Sequence, residues 1–433
     1  MQISVPTTYQ TLDTQSLLTY LLSLPSIAQQ LGGRMSEWQA SEIGDGYLNF
    51  VFMVEGPKGK LCVKQAVPYV RLIGEEWPMT LERMAFQHRC HLEHSRYCEQ
   101  YLPKLYHYDS QLYLMVMEYL HPHITMRHGM IQAINYPHFA EQISDYLSRS
   151  LFFTSNFWLS SSQKKQNMAF FDKNSELCKI LEDVVFTDPY WEAKDNRWTS
   201  PQLDQIAAEF RHDVQLKRAV SRLKLKYMTS AQALIHGDLH TGSLMLTPES
   251  MMVIDHEYAF YGPMAFDVGN VIGNLLLNYF AQDGHATIEQ PREAYQTWIL
   301  ETIEQVWLKF YDKFIGLWES QTTGEPYCEQ LFADSSGQQA MAEERHFYLC
   351  DLFTEAIGFA GAEMIRRILG LAHTLDLDSI EPPDKRAACE ISCLRLGREL
   401  VIKAQSYQDI FDVTAVAKQI HKETQTQLCQ NKD

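Results

Sequence analysis

Two short polar motifs, set between apolar stretches, constrain the fold of this chain more than any other feature. The first reads HGDLHTGS at residues 236–243, and the second reads DHE at residues 255–257. The segments between them, LMLT at 244–247 and MMVID at 251–255, are typical of short strands. This density of His, Asp and Glu allows two interpretations: a permanently held metal, or a site that grips a magnesium nucleotide.

Composition narrows the classes of protein to consider. A chain of 433 residues is longer than one typical core and predicts two domains. Hydrophobic residues make up 45% and charged residues 21%, which is ordinary for a globular enzyme. The net charge of −17 disfavours a nucleic-acid partner, whose binding surface would be basic. Any polyanionic substrate must therefore be held by a few well-placed Lys and Arg residues.

The nine cysteines predict reduced thiols rather than disulfides, because they are scattered, odd in number and form no C-x-x-C pair. The opening MQISVPTTYQ lacks the basic and apolar regions of a secretory signal. Apolar runs such as LLLNYF at 275–280 are far shorter than the roughly 20 residues that span a bilayer. We therefore expect a cytoplasmic protein with no membrane partner.

Residues 1–120 predict a small β-rich lobe with a leading helix. Three segments have the side-chain pattern of strands: 47–54, 61–66 and 111–120. Two segments space their apolar residues as helices do: 13–32 and 79–95. This lobe is the expected nucleotide-binding domain.

Residues 121–433 predict a larger, mostly helical lobe that carries both polar motifs. Helical patterns occupy five long segments: 138–155, 202–233, 291–319, 341–370 and 384–405. A β-rich amino lobe followed by a helical carboxy lobe predicts an α+β, bilobal fold. This is the layout of protein-kinase-like phosphotransferases.

The amino lobe holds two elements that a kinase needs. Gly44 and Gly46 precede a strand, where bare backbone can approach phosphates, although such glycines also begin ordinary hairpins. Lys64 is the lone cation of an apolar strand and could neutralise phosphates, or it could be an edge-strand lysine facing solvent. Three nearby acidic residues are candidate partners for its ammonium group: Glu75, Glu76 and Glu82.

The carboxy lobe holds the other two elements. Asp238 takes the position of the kinase base, which accepts the proton of the substrate hydroxyl. Five residues later the kinase pattern has a metal-binding Asn, but this chain has Ser243, a poorer ligand for a hard cation. Asp255 and Glu257 form a D-x-E motif in place of D-F-G. In an extended segment both carboxylates would point to one side and could hold Mg²⁺ together.

A metal-dependent hydrolase is the main rival interpretation. It would use His236, Asp238, His240 and Asp255 as a binuclear centre. It requires further histidine ligands on later loops, and the single histidines at 285, 346 and 373 lie in no recognisable cluster.

A second rival is a catalytically inactive, kinase-like binding module. The serine at 243 favours it, while the retained Asp238, Asp255, Glu257 and Lys64 oppose it. In the kinase interpretation we expect His236 to pack and shape the loop. His240 and His256 are candidates for supporting roles around the site.

Several segments together resemble the 5-methylthioribose kinases, in the aminoglycoside-phosphotransferase and choline-kinase branch of the protein-kinase-like fold. They are EIGDGYLN, VKQAVPYVR, GEEWPMTLER, VMEYL, HGDLHTGS, DHEYAFYGPMAFDVG and GFAGAEMIRRILGLAH, and the resemblance runs from about residue 40 to residue 405. It implies transfer of the ATP γ-phosphate to the 1-hydroxyl of 5-methylthioribose in methionine salvage, with Mg²⁺, by a homodimer. The alternative is a kinase of this fold acting on another small alcohol, such as an aminoglycoside, choline or homoserine.

The resemblance also implies residue roles. Asp238 is the base and contacts the sugar, and Asp255 and Glu257 hold the magnesium nucleotide. The implied ATP-binding set is Gly44, Gly46, Tyr47, Asn49, Lys64, Glu118, Tyr119, Leu120, Asp255, His256 and Glu257. Tyr47 departs from the usual G-D-G-N-L-N loop, which puts a side-chain amide contact at that position in doubt.

The adjacent Arg366 and Arg367 are implied to bind the sugar and phosphate. Two neighbouring arginines are usually a solvated helix face. Neighbours on a helix point about 100° apart, so we expect only one of them to face the active site. A guanidinium group here suits an acidic protein that must stabilise a transferring phosphoryl group.

Overall fold

The computed structural model describes residue 6 and residues 8–43, 48–71 and 74–430. The chain forms two compact units. Unit 1 comprises Met1–His123 together with Asn174–Leu177 and Met252–Ala259, and unit 2 comprises Ile124–Lys173, Cys178–Met251 and Phe260–Asp433. Each unit is described separately below.

Unit 1 contains an antiparallel sheet and three helices. Its helices are α1 (Thr14–Leu22), α2 (Pro25–Leu31) and α3 (Arg83–Cys98). Its strands are β1 (Gln39–Glu42), β2 (Asn49–Gly56), β3 (Gly59–Ala66), β4 (Tyr69–Val70), β5 (Gly74–Pro78), β6 (Leu105–Asp109) and β7 (Leu114–Glu118). The five-stranded sheet has the order β1-β2-β3-β7-β6, so β3 is its central strand.

The two faces of this sheet pack against different helices, because side chains alternate along each strand. Val63 and Val116 face a core built with α1 and α2. Ala66 and Met115 face the opposite side and pack against Met84 of α3. Lys64 lies opposite Met115 in the β3–β7 register and is buried. The edge-strand interpretation of Lys64 is therefore wrong, because β3 is paired on both sides.

Beyond His123 the chain is mainly helical. The helices are α4 (Met126–Ile131), α5 (Phe139–Phe153), α6 (Ser161–Phe171), α7 (Ser175–Val184), α8 (Asp204–His212), α9 (Val214–Thr229), α10 (Met264–His285), α11 (Glu293–Gln321), α12 (Ser335–Leu369), α13 (Leu375–Asp378), α14 (Pro383–Lys403) and α15 (Ile410–Gln430). The short strands are β8 (Ile124–Thr125), β9 (Ala233–Ile235), β10 (Leu244–Leu246), β11 (Met251–Val253) and β12 (Phe260–Gly262).

Helix α10 is the centre of unit 2, since every residue from Met264 to Gln282 is buried. Helix α12 crosses it closely where glycines remove the side chains. A Cβ atom on Gly269 would lie 2.5 Å from the Ala356 carbonyl oxygen, and one on Gly273 would lie 2.8 Å from that of Ala360. On its other side α12 meets α14 at a glycine pair, where a Cβ on Gly361 would lie 2.5 Å from the Gly397 oxygen.

These features confirm the predicted α+β fold, with a small β-rich part followed by a larger helical part. The segment 202–233 is two helices rather than one, because Asp213 ends α8 and caps α9 by accepting hydrogen bonds from the next turn. Helix α10 was not predicted, because a helix that is buried all round lacks the apolar–polar periodicity of a surface helix. Across the described residues, no helix is long and apolar enough to cross a membrane.

The glycine contact between α12 and α14 gives a stability prediction. Gly361→Ala should lower the free energy of unfolding by about 1–3 kcal/mol, because the methyl group meets a backbone oxygen that cannot move freely. Gly316→Ala is the matched control, since Gly316 is an exposed position of α11 with nothing within 4 Å of its Cβ direction. That change should raise stability by about 0.5–1 kcal/mol. Urea unfolding of both variants makes the measurement, and equal effects would contradict the prediction.

Candidate active site

Lys64 is the charged centre of unit 1. Its ammonium group donates to Gln87 Oε1 of α3 at 2.8 Å and to Asp255 Oδ1 at 2.5 Å, and it lies 4.0 Å from Glu257 Oε2. Burial alone would lower the pKa of Lys64, but the two carboxylates outweigh this and raise it above its ordinary value. The side chain is therefore a cation at neutral pH.

The sequence-based candidates for the acidic partner of Lys64 were wrong. Glu75, Glu76 and Glu82 are exposed, and α3 presents the neutral amide of Gln87 to the ammonium group instead. The negative charge comes from the D-x-E motif. Gln87 could not be found from spacing alone, because nothing local distinguishes it from a surface glutamine.

Asp255 and Glu257 converge for a different reason from the one expected. The segment is not extended: Asp255 has the left-handed backbone angles φ 67° and ψ 49°, and residues 256–258 form a 3-10 turn. The turn nevertheless brings both carboxylates to Lys64, at the distances given above. Hard carboxylate oxygens are the ligands that Mg²⁺ prefers, so this pair fits a magnesium nucleotide.

A buried arginine orients Glu257. Arg83 is completely buried and donates to Asn49 Oδ1 at 3.1 Å and to the backbone oxygens of Leu48 and Val67 at 2.7 and 2.8 Å. Asn49 Nδ2 in turn donates to Glu257 Oε2 at 2.8 Å. The predicted residue Asn49 thus lies beside the predicted metal ligand. Arg83 was missed from sequence, because a charged residue in the first turn of a helix usually faces solvent.

His256 packs against two histidines of α3. Its ring is buried and meets the edges of the His94 and His91 rings of α3, with centroids 5.5 and 6.1 Å apart. Cys90, His94 and His256 bring one sulfur and two nitrogen donors within 4.8 Å of one another. Such soft donors do not suit Mg²⁺. The ring of His256 packs unit 1, and its part in nucleotide binding stays a prediction.

The other predicted nucleotide contacts are only partly described. Gly44, Gly46 and Tyr47 lie outside the described residues. Glu118 ends β7, and its backbone N–H donates to the Lys104 oxygen at 2.8 Å. Tyr119 and Leu120 follow directly, outside the strand, and the Tyr119 ring stacks on His121. Adenine binding by residues 118–120 remains a prediction.

In unit 2, helix α10 holds the HGD loop through hydrogen bonds to the loop backbone. Asp267, in the first turn of α10, accepts hydrogen bonds from the backbone N–H groups of His236 at 2.7 Å and Gly237 at 3.0 Å. Gly237 has a φ of 84°, a left-handed conformation that suits glycine. His236 Nδ1 accepts from the Asp238 N–H at 3.2 Å, so this buried histidine shapes the loop as predicted from the sequence.

His240 and Ser243 close the same loop. His240 Nδ1 accepts from the Gly242 N–H at 2.9 Å, which leaves its Nε2–H to donate toward Asp238 Oδ2 at 3.3 Å. Burial lowers the pKa of His240 to about 4, so the ring is neutral at pH 7. Ser243 Oγ donates to the Asp238 carbonyl oxygen at 3.0 Å and is therefore used in the loop itself.

Both twin arginines reach Asp238. Arg366 Nη2 donates to Asp238 Oδ1 at 2.8 Å, and Arg367 Nη2 lies 3.5 Å from the same oxygen. Burial alone would raise the pKa of Asp238, but the contact with His240 and the two arginine charges hold it well below its usual range. The expectation that only one arginine faces the site was wrong, because both long side chains bend toward the preceding turn of α12.

Glu363 draws both arginine side chains toward the preceding turn of α12 by accepting their hydrogen bonds. It lies three and four positions before the arginines and accepts a hydrogen bond from each, with Arg367 Nε at 2.7 Å. Asn274 of α10 also donates to it, at 2.9 Å, and Asn274 Oδ1 accepts from Arg127 at 3.4 Å. Glu363 was missed from sequence, although its i, i+3 and i, i+4 spacing to Arg366 and Arg367 is a detectable signal.

The structure gives no support to a binuclear hydrolase centre. Over the part of the chain that is described, the only group of three or more metal-capable His, Cys, Asp or Glu side chains is the one formed by Cys90, His94 and His256. The later histidines serve the fold instead. Their partners are the Asp376 carbonyl oxygen for His285, the Tyr311 hydroxyl for His346 and the Asp378 carboxylate for His373.

A buried strand lysine beside two carboxylates of a D-x-E motif, and an aspartate on an HGD loop, fit the pattern of a kinase-like phosphotransferase. Residues 39–304 match the model of the phosphotransferase enzyme family APH, which covers more than half of the chain. This match agrees with the class that the fold and site define.

Similarity to individual proteins identifies a smaller family within this phosphotransferase class. The chain is 43% identical to methylthioribose kinase 1 of Oryza sativa subsp. japonica, over 94% of each chain. It is 41% identical to the methylthioribose kinase of Escherichia coli O45:K1, over 96% of this chain and all of that one. It is 39% identical to the enzyme of Yersinia pseudotuberculosis serotype IB, over 90% and 93% of the two chains. The chain therefore belongs to the methylthioribose kinase family.

The shared carboxylate of Glu363 gives a stability prediction. Glu363→Gln should lower the free energy of unfolding at pH 7 by about 3–5 kcal/mol, because two buried guanidinium groups lose their counter-charge. Burial alone would raise the pKa of Glu363, but Arg366 and Arg367 lower it from 4.5 to about 2. The folded-state pKa is depressed, so the wild-type advantage should be complete above pH 4.5 and shrink as the pH falls toward 2.

Glu355→Gln is the matched control for this test. Glu355 is on the same helix and pairs with the half-exposed Lys226 at 2.7 Å. Its loss should cost less than about 1 kcal/mol. Urea unfolding over a pH series measures both variants, and a pH-independent difference for Glu363→Gln would contradict the argument.

Proposed function

We propose that this protein transfers the γ-phosphate of ATP to the 1-hydroxyl of 5-methylthioribose, with Mg²⁺, giving 5-methylthioribose 1-phosphate in methionine salvage. The observation that carries the proposal is the near-full-length similarity to three methylthioribose kinases, in a chain that retains the phosphotransfer residues. The buried contacts of Asp238 with Arg366 and Arg367 support it, because a simple nucleotide-binding module has no use for them.

The nucleotide is assigned to residues of unit 1. Bound Mg²⁺ supplies charge neutralisation for the triphosphate when it is present. Asp255 and Glu257 would hold the ion, with Glu257 oriented by Asn49. Lys64 would contact the phosphates, since its raised pKa keeps it charged. Gly44, Gly46, Tyr47, His256 and residues 118–120 complete the proposed ATP-binding set.

The acceptor sugar is assigned to residues of unit 2. Asp238 is the candidate base: it remains ionised over the working pH range, because its pKa is held low, and can accept the proton of the 1-hydroxyl. Arg366 and Arg367 carry donors toward the same carboxylate and would bind sugar oxygens and the developing phosphoryl charge. Neutral His240 orients Asp238 through its Nε2–H.

We propose that the enzyme acts in the cytoplasm as a homodimer, as the resemblance implies. The proposed function is tested by incubating the purified protein with Mg-ATP and a panel of acceptors: methylthioribose, ribose, choline, homoserine and an aminoglycoside. Phosphorylation of methylthioribose well above the other acceptors is the expected result. A preference for another alcohol would mean that the protein is a kinase with a substrate other than methylthioribose.

The role of Asp238 gives a kinetic prediction. Asp238→Asn should reduce kcat by about 10²–10⁴, the usual contribution of a positioned general base, while Mg-ATP binding is retained. Steady-state rates and nucleotide titration make the measurement. Near-normal turnover in this variant would remove Asp238 from the mechanism.

The role of Glu257 gives a second kinetic prediction. Glu257→Gln should raise the magnesium concentration needed for half-maximal rate, because a carboxylate ligand is lost. Ser243→Asn in the same background should not restore the wild-type curve, since the Ser243 hydroxyl is needed by the Asp238 carbonyl. Arg367→Ala is the control: it should lower kcat or raise the acceptor KM with the magnesium curve unchanged. An unchanged curve for Glu257→Gln would mean that Asp255 holds the metal without it.

A further inference from the structure

Helix α10 carries a stripe of polar side chains through the most buried part of unit 2. Asp267, Asn270, Asn274 and Asn278 recur at positions i, i+3, i+7 and i+11, and each is no more than 2% exposed. Buried polar groups are costly unless they are hydrogen-bonded. Each member of the stripe therefore needs a partner.

Three members of the stripe have partners within the chain. Asp267 accepts from the HGD loop backbone, and Asn274 donates to Glu363, as described above. Asn278 Nδ2 donates to Asp376 Oδ1 at 2.6 Å. These bonds tie α10 to the loop that carries Asp238 and to the elements around it.

Asn270 is the exception. It is 1% exposed, yet neither its Oδ1 nor its Nδ2 has a hydrogen-bond partner among the described residues. A single amide thus leaves one donor group and one acceptor group unsatisfied in the middle of a stripe whose other members are bonded. A buried side chain with this property calls for a partner from outside the chain.

The direction of Asn270 follows from helix geometry. At 100° per residue its side chain lies about 60° from that of Asp267, which faces the HGD loop, and about 60° from Gly273. Gly273 faces α12, where its Cβ direction lies 3.3 Å from Glu363 Cβ. Asn270 therefore points between the HGD loop and α12, the region where Arg366 and Arg367 reach Asp238.

Two more buried atoms without a hydrogen bond belong to the same two elements, and one of them, Arg367 Nη2, keeps its 3.5 Å ion contact with Asp238. Thr241 Oγ1 of the loop and Arg367 Nη2 of α12 make no hydrogen bond within the described residues, and both residues are more than nine-tenths buried. With Asn270 they offer donors and acceptors from α10, the HGD loop and α12. A ligand rich in hydroxyl groups would satisfy all of them.

We propose that Asn270 is a specificity-determining residue that binds the vicinal diol of the acceptor sugar. Its amide N–H donates to one hydroxyl oxygen, and its carbonyl oxygen accepts from the neighbouring hydroxyl. A ribose ring presents such a pair at its 2- and 3-positions, beside the 1-hydroxyl that receives the phosphate. This inference rests on the proposed function, and it names the substrate groups that the amide recognises.

Stability provides the first arm of the test. Asn270→Leu, an apolar change of similar size, should leave Tm unchanged or raise it, because no protein bond is lost. Asn278→Leu is the matched control on the same helix, equally buried, and should lower Tm because it leaves the Asp376 carboxylate without its amide partner. If Asn270→Leu destabilises the protein as much as Asn278→Leu does, or prevents folding, the amide is structural and the inference is overturned.

Kinetics provide the second arm. Asn270→Leu should raise the methylthioribose KM about tenfold, as expected for the loss of hydrogen bonds to a bound ligand, with the Mg-ATP KM unchanged. For the wild type, the 2-deoxy and 3-deoxy analogues of methylthioribose should show a similar loss. In Asn270→Leu that further loss should disappear, because the group that sensed the hydroxyl is already absent.

The outcomes separate the inference from the function on which it rests. Wild-type turnover of methylthioribose with an unchanged KM in Asn270→Leu overturns the inference alone. Additive losses from the variant and the deoxy analogues do the same, since they would place the diol elsewhere. Failure of the wild type to phosphorylate methylthioribose overturns the proposed function and the inference with it.

Discussion

The arrangement around Asp238 in unit 2 depends on one interaction, in which two adjacent arginines share the buried carboxylate of Glu363. Adjacent helix residues diverge by about 100°, so Arg366 and Arg367 would normally serve different surfaces. Glu363, one turn earlier, bends both toward itself, and their remaining donors then reach Asp238. The aspartate stays ionised although it is largely enclosed. The carboxylate of Glu363 therefore compensates the charge of the two guanidinium groups that keep Asp238 ionised.

Helix α10 makes that compensation possible. Asp267 of α10 accepts from the HGD loop backbone, and Asn274 of α10 donates to Glu363. The same helix therefore positions both the loop and the two arginines. The glycines at 269 and 273 let α12 approach α10 to backbone contact. Close packing of α10 against α12 thus fixes the position of Glu363 and leaves little freedom for the arginines.

The sequence predicts the charged motif residues of the candidate site better than the buried residues that hold them in place. Asp238, Lys64, Asp255 and Glu257 stand out because their order along the chain follows that of the kinase elements. The structure places Lys64 and the D-x-E pair together. Arg83, Gln87 and Asp267 do not stand out, because their roles depend on contacts between distant segments, whereas Glu363 has a local signal in its spacing to the two arginines. The left-handed turn at Asp255 also depends on its tertiary contacts and could not be predicted. Helix α10 was missed because its residues are buried all round and show no amphipathic period.

The pairing of Lys64 with a neutral Gln87 has a consequence for how the proposed nucleotide site would respond to its ligands. Helix α3 presents a neutral amide to Lys64 and a second cation, Arg83, whose Nε lies 3.8 Å from Glu257 Oε2. The carboxylates of Asp255 and Glu257 therefore balance two cations, Lys64 and Arg83. The proposed metal ion would recruit those same carboxylates, and a triphosphate would recruit the ammonium. Metal binding to the carboxylates would therefore free the Lys64 ammonium for the triphosphate, and triphosphate binding to Lys64 would free the carboxylates for the metal. Because two cations and two carboxylates already balance each other, the proposed site would accept metal and nucleotide more readily as a pair than either one alone.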